Sequence, residues 1–228
     1  MPGLFVTFEG VEGAGKSTQV RRLRMRLERL GYEVRATREP GGTPLGEIAR
    51  ALSRKPALAR RFYGELTGEH LRRTDPLAEL FLMSAARAQL VGDVIVPALA
   101  RGAAVLCDRY DDSTLAYQGY GRGLDLHMLR TVNAIATRNT RPSLTVLIDL
   151  PPELGLARKR GEQGRDAIGG AGLEFLTRVR EGYLALAAQE PARWLVVSGE
   201  LNEDEIEARI WERISRLLPL GPRTPPVA

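Results

Sequence analysis

The chain has 228 residues, of which 43% are hydrophobic and 27% are charged. Such a chain is long enough for one domain with a full core, and its composition is that of an ordinary globular protein. Its formal net charge is +5, but no continuous basic face with interleaved aromatic residues accompanies that charge. The sequence therefore argues against a nucleic acid partner.

The sequence also argues against membrane insertion, secretion and disulfide bonding. No apolar run approaches the about 20 residues that span a bilayer, and the N-terminus lacks the charged and apolar segments of a secretion signal. A single cysteine, Cys107, cannot form an intramolecular disulfide and suits a reducing compartment. We expect a soluble cytoplasmic protein without a membrane partner.

Short apolar segments alternate with helical patterns along the chain. After the first apolar segment, Val20, Leu23 and Leu27 recur at helical spacing, and Gly31 is a natural stop. Pro97 is expected to break or kink the longest helix. Predicted strands cover 4–9, 32–37, 103–108, 144–150 and 194–197, and predicted helices cover 16–30, 46–53, 75–102, 125–138, a segment from about 152, 173–189 and 203–218. Because the strands are apolar on both faces, they predict a parallel sheet covered by helices on both sides.

Three segments stand apart from this alternation. Residues 54–74 are basic and irregular, and residues 158–172 are basic and rich in glycine. Residues 221–228 form a tail that we expect to be disordered. No linker divides the chain, so residues 1–220 are predicted to form a single domain.

The segment EGVEGAGKST, residues 9–18, fits the phosphate-binding pattern GxxxxGK[ST]. Its glycines let successive N–H groups turn inward around an anion, and the following helix adds its positive N-terminal end. Lys16 would neutralise the β- and γ-phosphates of a nucleotide, and the Ser17 hydroxyl would ligate Mg²⁺. The strand before and the helix after argue against a glycine-rich turn that merely resembles the pattern. The predicted nucleotide-binding residues are Gly10, Val11, Glu12, Gly13, Ala14, Gly15, Lys16, Ser17 and Thr18.

The carboxylate of Glu12 is unexpected in this loop, because it would repel a bound polyphosphate. It must either point away from the anion or serve another group. The loop alone also fits GTPases, motors and partner-switching ATPases. The reaction therefore depends on whether the chain holds a second site for a phosphoryl acceptor and further cations.

A second group of polar residues follows two other predicted strands. TREPGGT (37–43) places Arg38 and Glu39 at the end of the second strand, and DRYDDSTLAYQGYGRG (108–123) follows the third. Ligands of an open parallel sheet bind at this carboxyl edge. Arg87, within SAARAQ, lies on a helix that can border the same pocket.

At these positions the chain closely resembles the thymidylate kinases. FEGVEGAGKST, TREPGGT, AARAQ and DRYxDSTLAYQGxGRG match in order and spacing over residues 5–123, and RVREGYLALA (178–187) extends the match. The resemblance implies a P-loop nucleoside monophosphate kinase fold, an α/β fold whose five-stranded parallel sheet is flanked by helices on both faces. It also implies transfer of the γ-phosphoryl group of ATP to dTMP with Mg²⁺, and a homodimer.

The resemblance assigns roles around the transferred group. Arg109 matches the arginine that grips the acceptor phosphate, and Arg50 looks like its helper. Asp108 resembles the acid that helps to hold Mg²⁺, directly or through water. Glu12 occupies the position of an acid that reaches the sugar 3′-hydroxyl. Two alternatives remain open: Arg50 as a solvated helix residue, and Asp108 as a partner of Arg109.

The resemblance also assigns residues to the base. Arg87 matches the arginine that hydrogen-bonds a thymine carbonyl, and Gln118 faces the base edge with Tyr117 and Thr114 nearby. Alternatively, Arg87 lies at the surface, and Tyr117 and Thr114 only pack the loop. The predicted substrate-binding residues are Glu12, Arg38, Glu39, Pro40, Arg50, Met83, Arg87, Arg109, Thr114, Tyr117 and Gln118.

One position departs from the family pattern at the base. The family usually stacks a phenylalanine on thymine four residues before the arginine that matches Arg87, and Met83 stands there. A thioether can cover an aromatic face, although it makes a less rigid wall. Phe81 could serve instead after a shift in register.

A second departure concerns the catalytic cations. Some family members carry an arginine in the loop at the position of Gly13. Transfer spreads negative charge over the equatorial oxygens, so that cation must come from elsewhere. ARKRGEQGRDAIGG (157–170) resembles the lid that carries arginines in another subclass, and it places a lid at about 158–172; the alternative is a solvated basic loop. The predicted catalytic residues are Lys16, Arg109, Arg165, Arg160 and Arg158.

The sequence thus predicts a Mg²⁺- and ATP-dependent thymidylate kinase that acts on small-molecule substrates. The nearest alternative is a kinase for another nucleoside monophosphate. An alternative from another class is a nucleotide-dependent switch ATPase, which would leave the arginine-rich second site unexplained.

Overall fold

The computed structural model describes residues 3–54, 75–163 and 172–218. Three expectations fall wholly or largely outside the described residues: the irregular segment 54–74, of which Arg54 alone is described and is helical, the part of the predicted lid that contains Arg165, and the tail 221–228. For Arg54 and residues 160–163 the description is limited to the backbone.

The described residues form one five-stranded parallel sheet, as predicted. The strands are β1 (Phe5–Glu9), β2 (Val34–Arg38), β3 (Ala104–Asp108), β4 (Leu144–Asp149) and β5 (Trp194–Ser198). Their spatial order is β2-β3-β1-β4-β5, so β1 lies between β3 and β4. Phe8 pairs with Asp108, and Glu9 pairs with Leu147. The carboxyl ends of these three strands therefore meet at one edge.

Helices connect the strands and cover the sheet. They are α1 (Lys16–Arg29), α2 (Pro44–Arg54), α3 (Pro76–Leu90), α4 (Val96–Ala100), α5 (Asp111–Thr114), α6 (Leu126–Thr137), α7 (Pro152–Gln163), α8 (Leu173–Gln189) and α9 (Glu203–Ser215). π-Helical segments at Val91–Ile95 and Leu115–Gly121 extend α3 and α5. Local sequence explains some of the helix starts: Asp75 caps α3 through the N–H of Leu77, and Asn202 forms a capping box at α9.

The core occupies both faces of the sheet because strand residues alternate between them. Val6 and Phe8 of β1 belong to an apolar cluster that includes residues of α1 and α9. Phe5, on the opposite face, packs in a cluster with residues of the α3–α4 region and β3. The cluster on the Val6 face includes Leu23, Leu27, Leu106, Ile148, Ile206 and Ile210.

The helical run Pro76–Ala100 is both long and rich in apolar residues. Among the described residues, this is the one helix whose length and composition would allow it to cross a membrane. Leu90, Val91 and Ile95 are fully buried in the cluster around Phe5. This packing accounts for the apolar residues of the C-terminal half of the run, whereas Phe81 in its first half is exposed.

The long helix is interrupted close to the predicted proline. A π-helical segment, Val91–Ile95, precedes Pro97, which then lies in the first turn of α4. Because the residues before it are also helical, Pro97 lacks an N–H that would otherwise bond back into this run, and the wider π-helical segment directly before it accommodates the missing hydrogen bond while the helical path continues.

The predicted polar loop 109–123 is mostly helical, which the sequence reasoning did not anticipate. Gly119 and Gly121 serve packing, whereas Gly123, with a φ of 81°, makes the turn that ends the segment. A Cβ at Gly119 would lie 2.5 Å from Leu126, and a Cβ at Gly121 would lie 2.7 Å from Phe175. Small residues are needed here because neighbouring helices approach closely.

The packing of α1 gives a direct test of the core. Leu27 is fully buried, so Leu27→Ala is expected to lower the free energy of unfolding by about 2–5 kcal/mol. Met25→Ala, at a largely exposed position of the same helix, is the control and should change it by no more than about 0.5 kcal/mol. Urea denaturation measures both, and equal effects would contradict this placement of α1.

Candidate active site

The loop between β1 and α1 has the backbone of an anion-binding nest. Gly13 and Gly15 adopt left-handed conformations, with φ of 74° and 94°. Such angles let neighbouring N–H groups face one side. Helix α1 begins at Lys16, directly after Gly15, so its positive end lies at the loop. The geometry fits a bound polyphosphate.

The loop backbone also lies directly against helix α7. A Cβ at Gly13 would be 2.2 Å from the carbonyl oxygen of Gly155, and a Cβ at Gly155 would be 2.2 Å from the carbonyl oxygen of Glu12. Each glycine permits the close approach of the other segment. An arginine at position 13 would push the loop and the helix apart, which gives a physical reason for the glycine found there.

Lys16 is buried at the base of the loop. Its Nζ donates hydrogen bonds to the carbonyl oxygens of Gly10 and Val11, at 3.0 and 2.8 Å. Burial and the charge of Arg109 lower the pKa of Lys16 to about 8, and the charge of Asp108 opposes that shift. A bound phosphate, like Asp108, would raise the pKa of Lys16 and favour the protonated ammonium.

Ser17 and Asp108 bring together the two oxygen donors predicted for Mg²⁺. The Ser17 hydroxyl donates a 2.5 Å hydrogen bond to Oδ2 of Asp108. Mg²⁺ takes few protein oxygens and completes its octahedron with water and substrate phosphates. A hydroxyl and a carboxylate beside a phosphate loop fit that ion. In the described part of the chain, no group of three or more His, Cys, Asp and Glu side chains could hold a metal.

Arg109 occupies the centre of the second site. Its φ of 71° is left-handed, which is unusual for a non-glycine residue and requires firm support from its surroundings. Its Nη1 donates to the hydroxyls of Tyr183 and Ser113, at 3.1 and 3.4 Å. Its Nη2 donates to the Tyr117 hydroxyl at 3.0 Å and to Glu12 Oε1 at 3.2 Å. The guanidinium is therefore held next to the phosphate loop.

Glu12 is turned toward this second site. Its Oε2 accepts a 2.9 Å hydrogen bond from Tyr117, while its Oε1 contacts Arg109. Burial acts to raise the pKa of Glu12, but Arg109, Lys16 and Tyr117 together lower it to about 2. The carboxylate thus compensates a cation of the second site, and this resolves its apparent conflict with a polyphosphate.

Arg87 is buried, so the alternative of a surface arginine at this position is wrong. Its Nε donates to Glu39 Oε2 and its Nη1 to Asn133 Oδ1, both at 2.8 Å. Its Nη2 donates to the carbonyl oxygen of Tyr110 at 3.3 Å. A guanidinium carries five N–H donors, so these contacts do not exhaust it.

The other predicted residues at the end of β2 divide between two environments. Arg38 is largely exposed and pairs with Glu47 at 3.0 Å. Arg50 is half-buried, and its Nη1 donates to the carbonyl oxygen of Pro40 at 3.2 Å. The structure therefore places Arg50 against the turn that contains Pro40, whereas Arg38 lies at the surface.

Residues predicted to contact the base differ in exposure. Met83 is half-buried, whereas Phe81 is 60% exposed. Phe81 therefore points toward solvent on this helix, which argues against the alternative in which Phe81 takes the place of Met83 at the base. Thr114 is buried, and Gln118 donates a 2.8 Å hydrogen bond to Glu79.

The predicted lid begins within a helix. α7 continues through Gln163, so residues 158–163 are helical rather than part of a loop, because Pro152 starts a helix that Gly161 does not end. Arg158 is exposed on this helix. The backbone of Arg160 is part of the same helix. Arg165 lies outside the described residues.

Three residues of the second site were missed by the sequence analysis. One is Ser113, which lies in the segment DRYDDSTLAYQGYGRG and contacts Arg109 through its hydroxyl. Glu9 is fully buried, and burial, reinforced by Asp112 and opposed by Arg109, raises its pKa to about 7. Tyr183 lies within RVREGYLALA, a matching segment to which no role was assigned. An acid at the end of an apolar strand was the available signal for Glu9. The contact of Tyr183 with residues far away in the chain left no local signal.

Comparison with known proteins identifies the relatives of this chain. A family model described as Thymidylate kinase matches residues 8–210. A thymidylate kinase of Deinococcus radiodurans is 50% identical over 213 residues, covering 93% of this chain and 97% of the relative. One from Syntrophotalea carbinolica is 47% identical over 225 residues, covering 95% and 97%. The crystal structure of thymidylate kinase from Ehrlichia chaffeensis superposes with a TM-score of 0.71 at 31% identity, covering 96% of this chain and all of that one.

The contact between the loop and α7 can be tested with Gly155→Ala. The added Cβ would overlap the carbonyl oxygen of Glu12, so the loop must shift, and we expect KM for ATP to rise about tenfold, with about 1–3 kcal/mol of lost stability. Leu154→Ala, at an exposed neighbouring position, is the control and should leave KM for ATP unchanged. An unaltered KM in Gly155→Ala would contradict the close packing.

Proposed function

The chain belongs to the thymidylate kinase family, and we propose that it phosphorylates dTMP with the residues gathered around Arg109. It is an ATP-dependent phosphotransferase that converts dTMP to dTDP, a step toward dTTP. The position of Arg109 carries the proposal for the site. This guanidinium lies between the phosphate loop and the other strand ends, 3.2 Å from Glu12.

The proposed reaction is direct in-line transfer without a covalent enzyme intermediate. The acceptor phosphate is already an anionic nucleophile, so no general base is required. Catalysis then consists mainly of positioning two anionic groups and neutralising the charge of the transferring group. A site rich in fixed N–H donors and guanidinium groups suits this task.

On the donor side, we assign the phosphates of ATP to the loop amides and to Lys16. The Lys16 ammonium has three N–H donors and uses two of them on carbonyl oxygens of the loop, so one remains to donate a hydrogen bond to an incoming phosphate. Ser17 and Asp108 would hold Mg²⁺. That ion supplies charge neutralisation at the phosphates when it is bound.

On the acceptor side, we assign the phosphate of dTMP to Arg109, with Arg50 as a second donor. Bidentate contacts from a guanidinium hold a phosphate and also fix its orientation. Glu12 would accept a hydrogen bond from the sugar 3′-hydroxyl. For this, its pairing with Arg109 and Tyr117 would loosen as the acceptor phosphate takes over the Arg109 contact.

The base would lie between Arg87 and the helix that follows Arg109. Arg87 is held by Glu39 and Asn133, which fixes the direction in which it meets a thymine carbonyl. Met83 would cover the base face, and Thr114, Tyr117 and Gln118 would border it. The remaining assigned residues at the end of β2 are Arg38, Glu39 and Pro40.

We also propose that the protein is a cytoplasmic homodimer. Phe81 on α3 and Ile135 on α6 are exposed apolar side chains, and we propose that these two helices form the dimer contact. Burial of such side chains would stabilise a symmetric interface. The proposed partners are small molecules, with no nucleic acid and no membrane.

The acceptor assignment is tested by coupled assays with ATP and a panel of nucleoside monophosphates. We expect kcat/KM for dTMP to exceed that for dCMP by at least about 100-fold, because Arg87 is buried in a fixed position to meet a thymine carbonyl. Equal turnover of dTMP and dCMP would favour another nucleoside monophosphate kinase. Comparable ATP hydrolysis without any acceptor would favour a switch ATPase.

The lid assignment is tested by Arg165→Ala. If Arg165 neutralises the transferring group, kcat should fall by about 100-fold or more, while KM for dTMP changes little. Arg24→Ala, which removes an exposed arginine of α1, is the control and should keep the wild-type kcat. An unchanged kcat in Arg165→Ala would remove this residue from the mechanism.

A further inference from the structure

A buried carboxylate accepts hydrogen bonds from residues that surround Arg109 in the second site. Glu9, the last residue of β1, is fully buried. Its Oε1 accepts a 2.8 Å hydrogen bond from the N–H of Tyr110. Its Oε2 accepts hydrogen bonds from the hydroxyls of Ser113 and Tyr183, at 2.6 and 2.8 Å. The proposed reaction gives this carboxylate no part in binding or transfer.

The two hydroxyls that meet Glu9 are also the hydroxyls that meet Arg109. Ser113 and Tyr183 lie 3.4 and 3.1 Å from Nη1 of Arg109, and their oxygens are 2.8 Å apart. The third donor to Glu9 is the backbone N–H of Tyr110. Tyr110 directly follows Arg109, and the backbone of Arg109 is left-handed. One carboxylate therefore contacts the groups that support both the backbone and the side chain of this arginine.

The direction of the hydroxyl protons gives Glu9 a specific effect. A hydroxyl has one hydrogen to donate and two lone pairs that accept. When the hydrogens of Ser113 and Tyr183 point to Glu9, their lone pairs remain for the N–H groups of Arg109. A hydrogen-bond donor at the position of the Glu9 carboxylate would force the hydroxyl hydrogens of Ser113 and Tyr183 to point toward Arg109. Those hydrogens would then face the N–H groups of the guanidinium, where no hydrogen bond can form.

We propose that Glu9 is a positioning residue that holds Arg109 in the orientation required by the acceptor phosphate, by ordering the hydroxyls of Ser113 and Tyr183. The inference rests on the proposed role of Arg109. Glu12, the other carboxylate beside Arg109, is partly exposed and would be displaced when the acceptor phosphate binds. Glu9 keeps its contacts during that exchange, so Nη1 stays fixed while Nη2 changes partner.

Steady-state kinetics of Glu9→Gln, Tyr183→Phe and the double variant test this inference. Glu9→Gln keeps the shape but puts a donor where the hydroxyl hydrogens point, and we expect kcat/KM for dTMP to fall about tenfold or more. KM for ATP should stay within about twofold, because the loop amides and Lys16 are untouched. The double variant should lose less than the product of the single effects, since both changes disrupt one network.

Thr145→Val is the matched control. The Thr145 hydroxyl is also buried between a carboxylate and a guanidinium, 3.2 Å from Asp112 and 2.8 Å from Arg193, but it lies outside the site. This variant should lower Tm without changing KM for either substrate. The same selective loss of dTMP use in Thr145→Val would overturn the inference.

Further outcomes separate this inference from the function on which it rests. Equal losses toward ATP and dTMP in Glu9→Gln would reduce Glu9 to a structural role. If that variant does not fold, an unchanged KM for dTMP in Tyr183→Phe overturns the inference. Normal dTMP use by Arg109→Lys would overturn the role of Arg109 and this inference with it. If the wild type prefers another monophosphate and Glu9→Gln impairs that acceptor alone, the positioning role stands and the dTMP assignment falls.

Discussion

The parallel pairing of β1 with β3 is the constraint on which the site depends. It sets Phe8 beside Asp108, so the phosphate loop and the segment that begins with Arg109 leave the sheet at neighbouring points. A slip of one residue would reverse the faces of a whole strand and separate the hydroxyl of Ser17 from its carboxylate partner. Apolar side chains on both faces of β1 hold this register. The chemistry of the edge therefore rests on the packing of the core.

Charge compensation is the second feature of this edge. Lys16 and Arg109 are buried cations, and a buried cation without an anionic partner would destabilise the fold. Glu12 and Asp108 provide that compensation within the protein, and Glu9 contributes in its ionised form, which gains weight as the pH rises through its pKa of about 7. Phosphate groups of substrates carry the same sign of charge as Glu12, so they can take over its partner while the buried Glu9 remains. A site of this kind is stable when empty and still receptive to anions.

The sequence contained much of the fold but only part of the site. Five apolar runs and one glycine-rich loop predicted the sheet and the position of the nucleotide, because each is a local pattern. The helical path of Leu115–Gly121 was missed, since the glycines there indicate a turn when their packing partners are unknown. Glu9 was missed for a related reason. Its partner Tyr183 lies 174 residues away, and no local pattern encodes such a contact.

The contact between the loop and α7 links two features that the sequence treated separately. Gly13 and Gly155 lie so close that neither position accepts a side chain. A cation at position 13 is therefore excluded by packing, and an alternative cation must approach from another segment. Helix α7 begins at Pro152 and leads through Arg158 toward the predicted lid. Helix α7 therefore both leaves no room for a side chain at position 13 and carries candidate catalytic arginines. An arginine at position 13 would require a compensating change in α7.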